Sequence, residues 1–334
     1  MSITAKELAA ILNLSEAAVS MALRNKPGVS TKTRKMVLEA ADKHGYDFAK
    51  TTKVYKPSKH ITFILYKRQG AVVGDTPFFS ALSEGIEAAC AKVDYKLHIL
   101  YIYKDDDVQK KIDEIIYSDC AGIVLLGTEM HLEDFRPFSN LRIPLVLLDV
   151  YFDSIEHDCV LINNIQGAYV ATNYLVSRIK KQPGYLRSSY PIGNFSERAD
   201  GFYKAVRHNG MSASKSIVHR LTPSVDGAFA DMLQLLEQGE ELAAGYFADN
   251  DLIAIGAMKA FQKHGICIPE DIALIGFDDL PVAVYLEPSL TTIHVPKKYI
   301  GEMAVKRLID IMGTKDHLPV KIEVSTKLKK RRSV

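Results

Sequence analysis

From Ile61 to Phe277 the sequence alternates short apolar runs with stretches of helical periodicity, and no other feature narrows the fold as far. A strand, a helix and a further strand of the same direction form the repeating unit of parallel sheets. The apolar runs fall at Ile61 to Tyr66, Leu97 to Ile102, Gly122 to Leu126, Leu145 to Asp149, Tyr185 to Ser188, Ile217 to Leu221, Ala243 to Phe247 and Ile272 to Phe277. Helical patterns such as Phe79 to Val93 and Gln166 to Lys180 lie between them. Eight strands split into two sets predict an α/β chain with two parallel sheets rather than a single open one. At 334 residues and 47% apolar, the chain can bury the cores this requires.

The first 60 residues read differently. They hold 11 Lys and Arg against 5 Asp and Glu, a net of +6, which leaves −4 for the remainder of a chain whose total is +2. A small basic head on a mildly acidic body suits a phosphate-seeking module, because cationic side chains release counterions from nucleic acid. A merely solvated surface would carry the same charge. Thr4 and Glu7 have the spacing of a capping box, followed by Leu8, Ile11 and Leu12 on one apolar face. Asn13 breaks that helix, and Ser15 caps a second that carries Val19 and Leu23 inward. Lys26-Pro27-Gly28 ends the second helix; Ser30 caps a third, with Val37, Ala40 and Ala41 inward, stopped by Gly45. Three short helices, the first two joined by a tight turn, describe a helix-turn-helix unit, whose second helix enters the major groove.

The run Ile3 to Tyr46, with Lys6-Glu7-Leu8-Ala9, Leu14-Ser15, Ala18-Val19-Ser20-Met21-Ala22-Leu23, Val29-Ser30, Thr33-Arg34 and His44-Gly45-Tyr46, closely resembles the headpiece of the LacI/GalR family of bacterial transcription regulators. The body resembles the same family from about residue 61 onward. The matching segments are Thr76-Pro77-Phe78-Phe79, Leu148-Asp149, Asn163-Asn164, Ser196-Glu197-Arg198, Phe247-Ala248-Asp249-Asn250-Asp251, Ile275-Gly276-Phe277-Asp278-Asp279 and Leu290-Thr291-Thr292-Ile293. The resemblance implies a three-helix headpiece over residues 1–46, a hinge over 47–60, and a two-lobed periplasmic-binding-protein-like (type I) core over 61–334. On this division the N-lobe takes 61–162 and 294–318, the C-lobe takes 163–291 and 320–326, and the chain crosses between them three times.

In the headpiece the resemblance places Glu16, Ala17 and Met21 against base edges, and Thr4, Ser15, Ser20, Ser30 and Thr33 against phosphates. Helix capping is the alternative role of Ser15 and Ser30, and it is compatible with phosphate contact, since a helix N-terminus attracts anions. Met21 stands where relatives often carry Arg, which removes a guanine contact. The hinge departs from the family's N-x-x-A-R-x-L. Lys53 and Tyr55 stand nearest the Arg and Leu positions, with Val54 between them, so this segment is either a wedge for the minor groove or a basic linker.

Open parallel sheets bind ligands at the carboxyl ends of their strands. Asp75, Phe78, Asp149, Arg187, Arg198, Phe247, Asn250 and Asp278 are the candidate effector contacts, planar polar groups for paired hydroxyls and aromatic faces for a sugar ring. Phe247 could equally be core, Asn250 a helix cap, and Asp278 with Asp279 a turn. Arg187 and Lys67-Arg68 put cations at strand ends and, with Arg198, suggest a fork for an anionic effector such as a uronic acid or sugar phosphate; salt-bridged arginine is the alternative.

No G-x-S-x-G, H-E-x-x-H, G-x-x-x-x-G-K or strand-linked G-x-G-x-x-G occurs, so an enzyme is not expected. Cys90, Cys120, Cys159 and Cys267 lack metal or disulfide spacing, and neither a metal nor a cofactor is called for. No apolar run reaches a membrane span and no signal-peptide pattern is present, so a cytoplasmic protein is expected. Together these predict an effector-controlled, homodimeric DNA-binding regulator on a pseudo-palindromic operator, of the repressor type that the resemblance implies; a free-standing cytoplasmic sugar receptor without specific DNA binding is the rival. The run Lys327-Leu328-Lys329-Lys330-Arg331-Arg332 reads as a solvated tail.

Overall fold

The computed structural model describes residues 3–24, 28–47, 60–74, 77–116, 118, 120–139, 141–314 and 317–334. Helices α1 (Ala5–Leu12), α2 (Glu16–Leu23) and α3 (Thr31–Lys43) form the head. The Thr4/Glu7 capping box is made in both directions, and Asn13 ends α1 in the left-handed conformation (φ 54°). Asparagine tolerates that conformation because its short polar side chain bonds locally. Leu8, Ala9, Val19, Ala22, Leu23, Val37 and Ala41 build a separate small core. Ile11 was expected there and is 54% exposed instead.

The first sheet contains β1 (His60–Lys67), β2 (Lys96–Tyr103), β3 (Cys120–Leu126), β4 (Leu145–Leu148), β5 (Cys159–Ile162) and β11 (Lys321–Val324), in the parallel order β11-β5-β4-β3-β1-β2. Helices α4 (Pro77–Lys92), α5 (Val108–Ile116), α6 (Leu132–Phe135) and α11 (Lys297–Met312) accompany it. The second sheet contains β6 (Gly184–Ser188), β7 (Val218–Leu221), β8 (Gly245–Ala248) and β9 (Ala273–Ile275), in the parallel order β7-β6-β8-β9. Its helices are α7 (Asn164–Ile179), α8 (Gly193–His208), α9 (Val225–Glu237) and α10 (Asp251–Lys263). Central strands such as β1 and β3 are buried almost throughout, as a parallel sheet covered on both faces requires.

Helix α11 returns the chain to the first lobe and packs tightly on α4. A Cβ on Gly85 would lie 2.1 Å from the Lys298 carbonyl, and one on Gly301 would lie 2.5 Å from that of Leu82. Glycine at both positions lets the two backbones touch. The chain crosses between lobes after β5, before α11 and after β11.

Two expectations need correction. Residues 321–324, assigned from the sequence to the C-lobe, form β11, which pairs with β5 at the edge of the first sheet (Lys321 opposite Cys159). The terminal basic run is docked rather than solvated. Strand β12 (Lys327–Lys329) pairs antiparallel with β10 (Thr292–His294), Arg331 bridges Asp279 at 2.6 Å, and the fully buried Ser333 hydroxyl donates to the Leu274 carbonyl at 2.6 Å. Charge was a poor guide here because Leu328, Arg331 and Ser333 carry the docking while Lys327 and Lys329 stay exposed and Lys330 lies over the Tyr174 ring. No helix among the described residues is long and apolar enough to cross a membrane.

Candidate functional site

Between the lobes lies a cavity whose empty volume, counting the part open to solvent, is about 450 Å³. Asp149 and Thr128 enter it from the first lobe, and Asn194, Arg198, Asn250 and Asp278 from the second. Phe78, Phe79 and Phe195 supply aromatic surface. Asp149 directly follows β4 and Asp278 lies three residues past the end of β9; both sit at positive φ (61° at Asp149, 109° at Asp278), where the sharp change of direction aims each carboxylate into the cleft.

Arg198 is the electrostatic centre. It is 3% exposed, stacks 3.8 Å from the Phe277 ring centroid, and donates to Asn164 Oδ1 at 2.9 Å, to the Asp249 carbonyl, and to Asp278 Oδ1 at 3.3 Å. Asp149 receives the Thr128 hydroxyl on Oδ2 at 2.6 Å, while its buried Oδ1 accepts no hydrogen bond. Burial raises the Asp149 carboxyl to about 6, against the pull of Thr128, Arg198 and Asn194. Burial also raises Asp249, which receives the Tyr185 hydroxyl and the Ser188 amide, to about 6. Asp251, further disfavoured by the charge of Asp278, rises to about 8.

These raised values fix the sign of a pH dependence. A carboxyl whose folded pKa lies above its unfolded value near 4 binds more protons folded than unfolded, so its contribution to stability falls as pH rises through the folded value. Thermal unfolding of the ligand-free protein should therefore show a higher midpoint at pH 6 than at pH 8.5. Asp251 is the group that titrates mainly within this interval, so a midpoint that is flat or rises over it would mean that Asp251 is already charged and compensated at pH 6.

The other walls are held by groups that sequence reading did not single out. Glu129 is buried, and its two oxygens accept five backbone amides, from Arg68, Gln69, Gly70, Val72 and Val73, at 2.7 to 3.0 Å. Burial pushes its carboxyl up, but the amide bonds outweigh burial and hold it below the usual range. Gly70 adopts φ 69° in this wrap, and the loop delivers Val72 to the cavity. Across the cleft, the buried Lys297 ammonium donates to the carbonyls of Asp278, Asp279 and Val295, which pins the loop bearing Asp278.

Of the residues expected at the site, Phe78, Asp149, Arg198, Asn250 and Asp278 meet in the cavity wall. Asn250 also caps α10 through Ile253 N at 2.9 Å, so both of its readings hold. Asp75 lies outside the described residues, as do Lys53, Val54 and Tyr55. Phe247 is corrected to core; it is fully buried and stacks with Tyr185 at 5.6 Å and Phe202 at 6.3 Å. Arg187 is corrected as well, since it projects from within β6, in register with Arg220, and is not in the cavity wall. Arg68 is bound to Asp134 at 2.5 Å and Glu133 at 2.9 Å. The cationic fork is therefore not assembled. One arginine, already engaged, faces two carboxylates, which removes the basis for an anionic effector.

In the head, Ser15 accepts from Ala18 N at 3.1 Å and Ser30 from Thr33 N at 3.0 Å, with the Ser30 and Thr33 hydroxyls 2.7 Å apart. Glu16 and Ala17 lie exposed on the first turn of α2, and Thr4 is exposed beside Glu7. Ser20 and Met21 are half-buried, with the Met21 sulfur against the Gly28 turn (φ 112°).

Comparison with known proteins agrees with this geometry. A family model for a periplasmic binding protein-like domain matches residues 173–334. Over 311 residues the chain is 30% identical to the HTH-type transcriptional regulator GalS of Salmonella typhimurium, covering 91% of this chain and 88% of that one. Among solved structures, the transcriptional regulator CelR–cellobiose complex matches with a TM-score of 0.73 at 22% identity over 99% of this chain and 100% of that one. The Lac repressor dimer bound to operator and an anti-inducer matches with a TM-score of 0.70 at 19% identity, over 100% and 99%. The latter two likenesses concern the fold.

Proposed function

Because this chain belongs to the LacI/GalR family of transcription regulators and is thus an effector-controlled DNA-binding regulator rather than an enzyme, we propose that it works as a homodimeric repressor with a neutral sugar or sugar derivative as effector. The observation that carries the sugar reading is the unpartnered, buried Oδ1 of Asp149, facing amides, a second carboxylate and aromatic rings across an interlobe cavity. Hydroxyl groups satisfy such an acceptor, and the rings suit the C–H face of a pyranose or furanose. Cellobiose in the CelR complex supports the same class. A thermal-shift screen of neutral sugars against sugar phosphates and uronic acids tests it; stabilisation by the charged compounds alone would refute it.

On the DNA side, Glu16 and Ala17 would read base edges from the start of α2, with Met21 behind them. Thr4, Ser15, Ser20, Ser30 and Thr33 would hold phosphates, and Lys53, Val54 and Tyr55 would follow into the minor groove. A Glu16→Ala substitution should relax preference at one position of each half-site by about 1 to 3 kcal/mol, as loss of a base-edge contact does. A binding-site selection reads this directly, and unchanged base preference would count against the assignment.

A dimer supplies two heads for two half-sites, since one head buries too little surface to bind tightly alone. Two surfaces favour it. Ile99, Tyr101 and Tyr103 are exposed on the edge strand β2, and Val282, Val284 and Tyr285 are exposed on the second lobe, Tyr285 to 85%. Apolar side chains along an open strand edge invite a partner.

A further inference from the structure

We propose that the effector is a saccharide of at least two linked units, with one ring in the inner cavity and the next in an outer chamber at the mouth of the cleft. This rests on the sugar reading above and goes beyond it in naming the length of the ligand. The outer chamber, with about 980 Å³ of empty volume counting the part open to solvent, shares Thr128, Asp149 and Asn194 with the inner cavity, so the two volumes adjoin. Asp149, 4% exposed, is one of the shared residues, and its Oδ1 accepts no hydrogen bond. An acceptor shared by both compartments is placed for a ligand that passes through, and a single ring filling the inner cavity would leave the outer chamber to water.

The outer walls have the chemistry of a second sugar site. Phe152 offers an aromatic surface from the first lobe, while Asp153 comes from the same loop and Glu197 and Asp200 come from α8. Glu197 is already oriented, receiving Asn164 Nδ2 at 2.9 Å. Among the described residues no Lys or Arg lines the outer chamber. Three carboxylates outnumber the one cation beside them, Lys321, whose ammonium sits 3.4 Å over the Tyr151 ring and feels the charge of Glu197, so the walls disfavour a phosphate or uronate and accept from hydroxyls, each charge-assisted bond adding more than a neutral one. The outer unit is therefore an uncharged, hydroxyl-rich ring rather than an anionic substituent.

Calorimetry on the full-length protein tests this with matched probes: glucose against cellobiose and maltose, and galactose against lactose and melibiose. At least one disaccharide should bind roughly ten-fold or more tightly than its component monosaccharides, the scale of one charge-assisted hydrogen bond. An Asp153→Asn/Asp200→Asn double variant, altering two exposed side chains that the fold does not need, should remove that advantage and leave monosaccharide affinity within about two-fold. A monosaccharide that binds as tightly as every disaccharide, or a double variant that weakens both alike, overturns the two-unit assignment and leaves the sugar reading standing. Silence of the whole panel alongside stabilisation by a charged sugar overturns both.

Discussion

An Arg198→Met protein should lose effector affinity by about 2 to 5 kcal/mol, roughly 30-fold or more in Kd, and should unfold more readily than the parent. The effect is large because one guanidinium holds four groups at once: Asn164, the Asp249 carbonyl, Asp278 and the Phe277 ring. Methionine keeps much of the volume and the contact with Phe277 but leaves Asp149 and Asp278 buried without the guanidinium, with Lys297 the cation that stays beside Asp278. Removing one partner of a buried charge pair is costly chiefly because the other charge is stranded, and about 3 to 5 kcal/mol of stability is the usual scale. Part of this should return at low pH, where the stranded carboxyls take up protons, so the deficit in melting temperature relative to the parent should shrink from pH 8 to pH 6. A variant with parental affinity and melting temperature would remove Arg198 from the centre of the site.

The second large effect concerns the division of labour along the chain. Deleting residues 1–60 should abolish sequence-specific DNA binding while leaving effector binding within about two-fold, since the head has its own core and the cleft is built entirely beyond β1's first residue. The deletion also removes the +6 segment and leaves a body of −4. Salt dependence of the intact protein on DNA should accordingly follow the charge of the head rather than the +2 of the whole chain. Residual specific affinity in the truncated protein, measured by anisotropy on a selected operator, would place DNA-reading groups in the body.

How much of this was legible beforehand depended on whether the signal was local. Caps are local, so Thr4, Ser15 and Ser30 were readable from spacing alone, as were the eight longer apolar runs. Strands β10, β11 and β12 escaped notice because each is a three- or four-residue segment that carries charged or polar residues and lacks the longer apolar run that flagged β4, β8 and β9; β5, as short and as apolar as β4, was missed without such a reason. The lobe assignment of 321–324 depended on which sheet edge a four-residue segment joins, and no local pattern encodes that choice. At the site, residues past a strand end (Asp149, Asn250, Asp278) reach the cavity wall, whereas Phe247 and Arg187 lie one step inside their strands, where the side chain leaves through a sheet face. Thr128 and Asn194 gave no cue, being common polar residues whose role exists only once the two lobes face each other. Glu129 was hidden for a related reason, because its partners are backbone amides some 60 positions earlier.

The central claim is that one chain couples a sugar-type cleft to an operator-reading head. Coupling requires that the effector bind the DNA-competent and DNA-free states with different affinity, and the linkage is reciprocal. The direct measurement is the operator affinity of the full-length protein, taken by fluorescence anisotropy on a duplex recovered by binding-site selection, with and without a saturating saccharide from the calorimetric panel. A shift of operator Kd by about five-fold or more, matched by an equal shift of saccharide affinity when operator is present, is the predicted result. Saccharide binding that leaves operator affinity unchanged would contradict it.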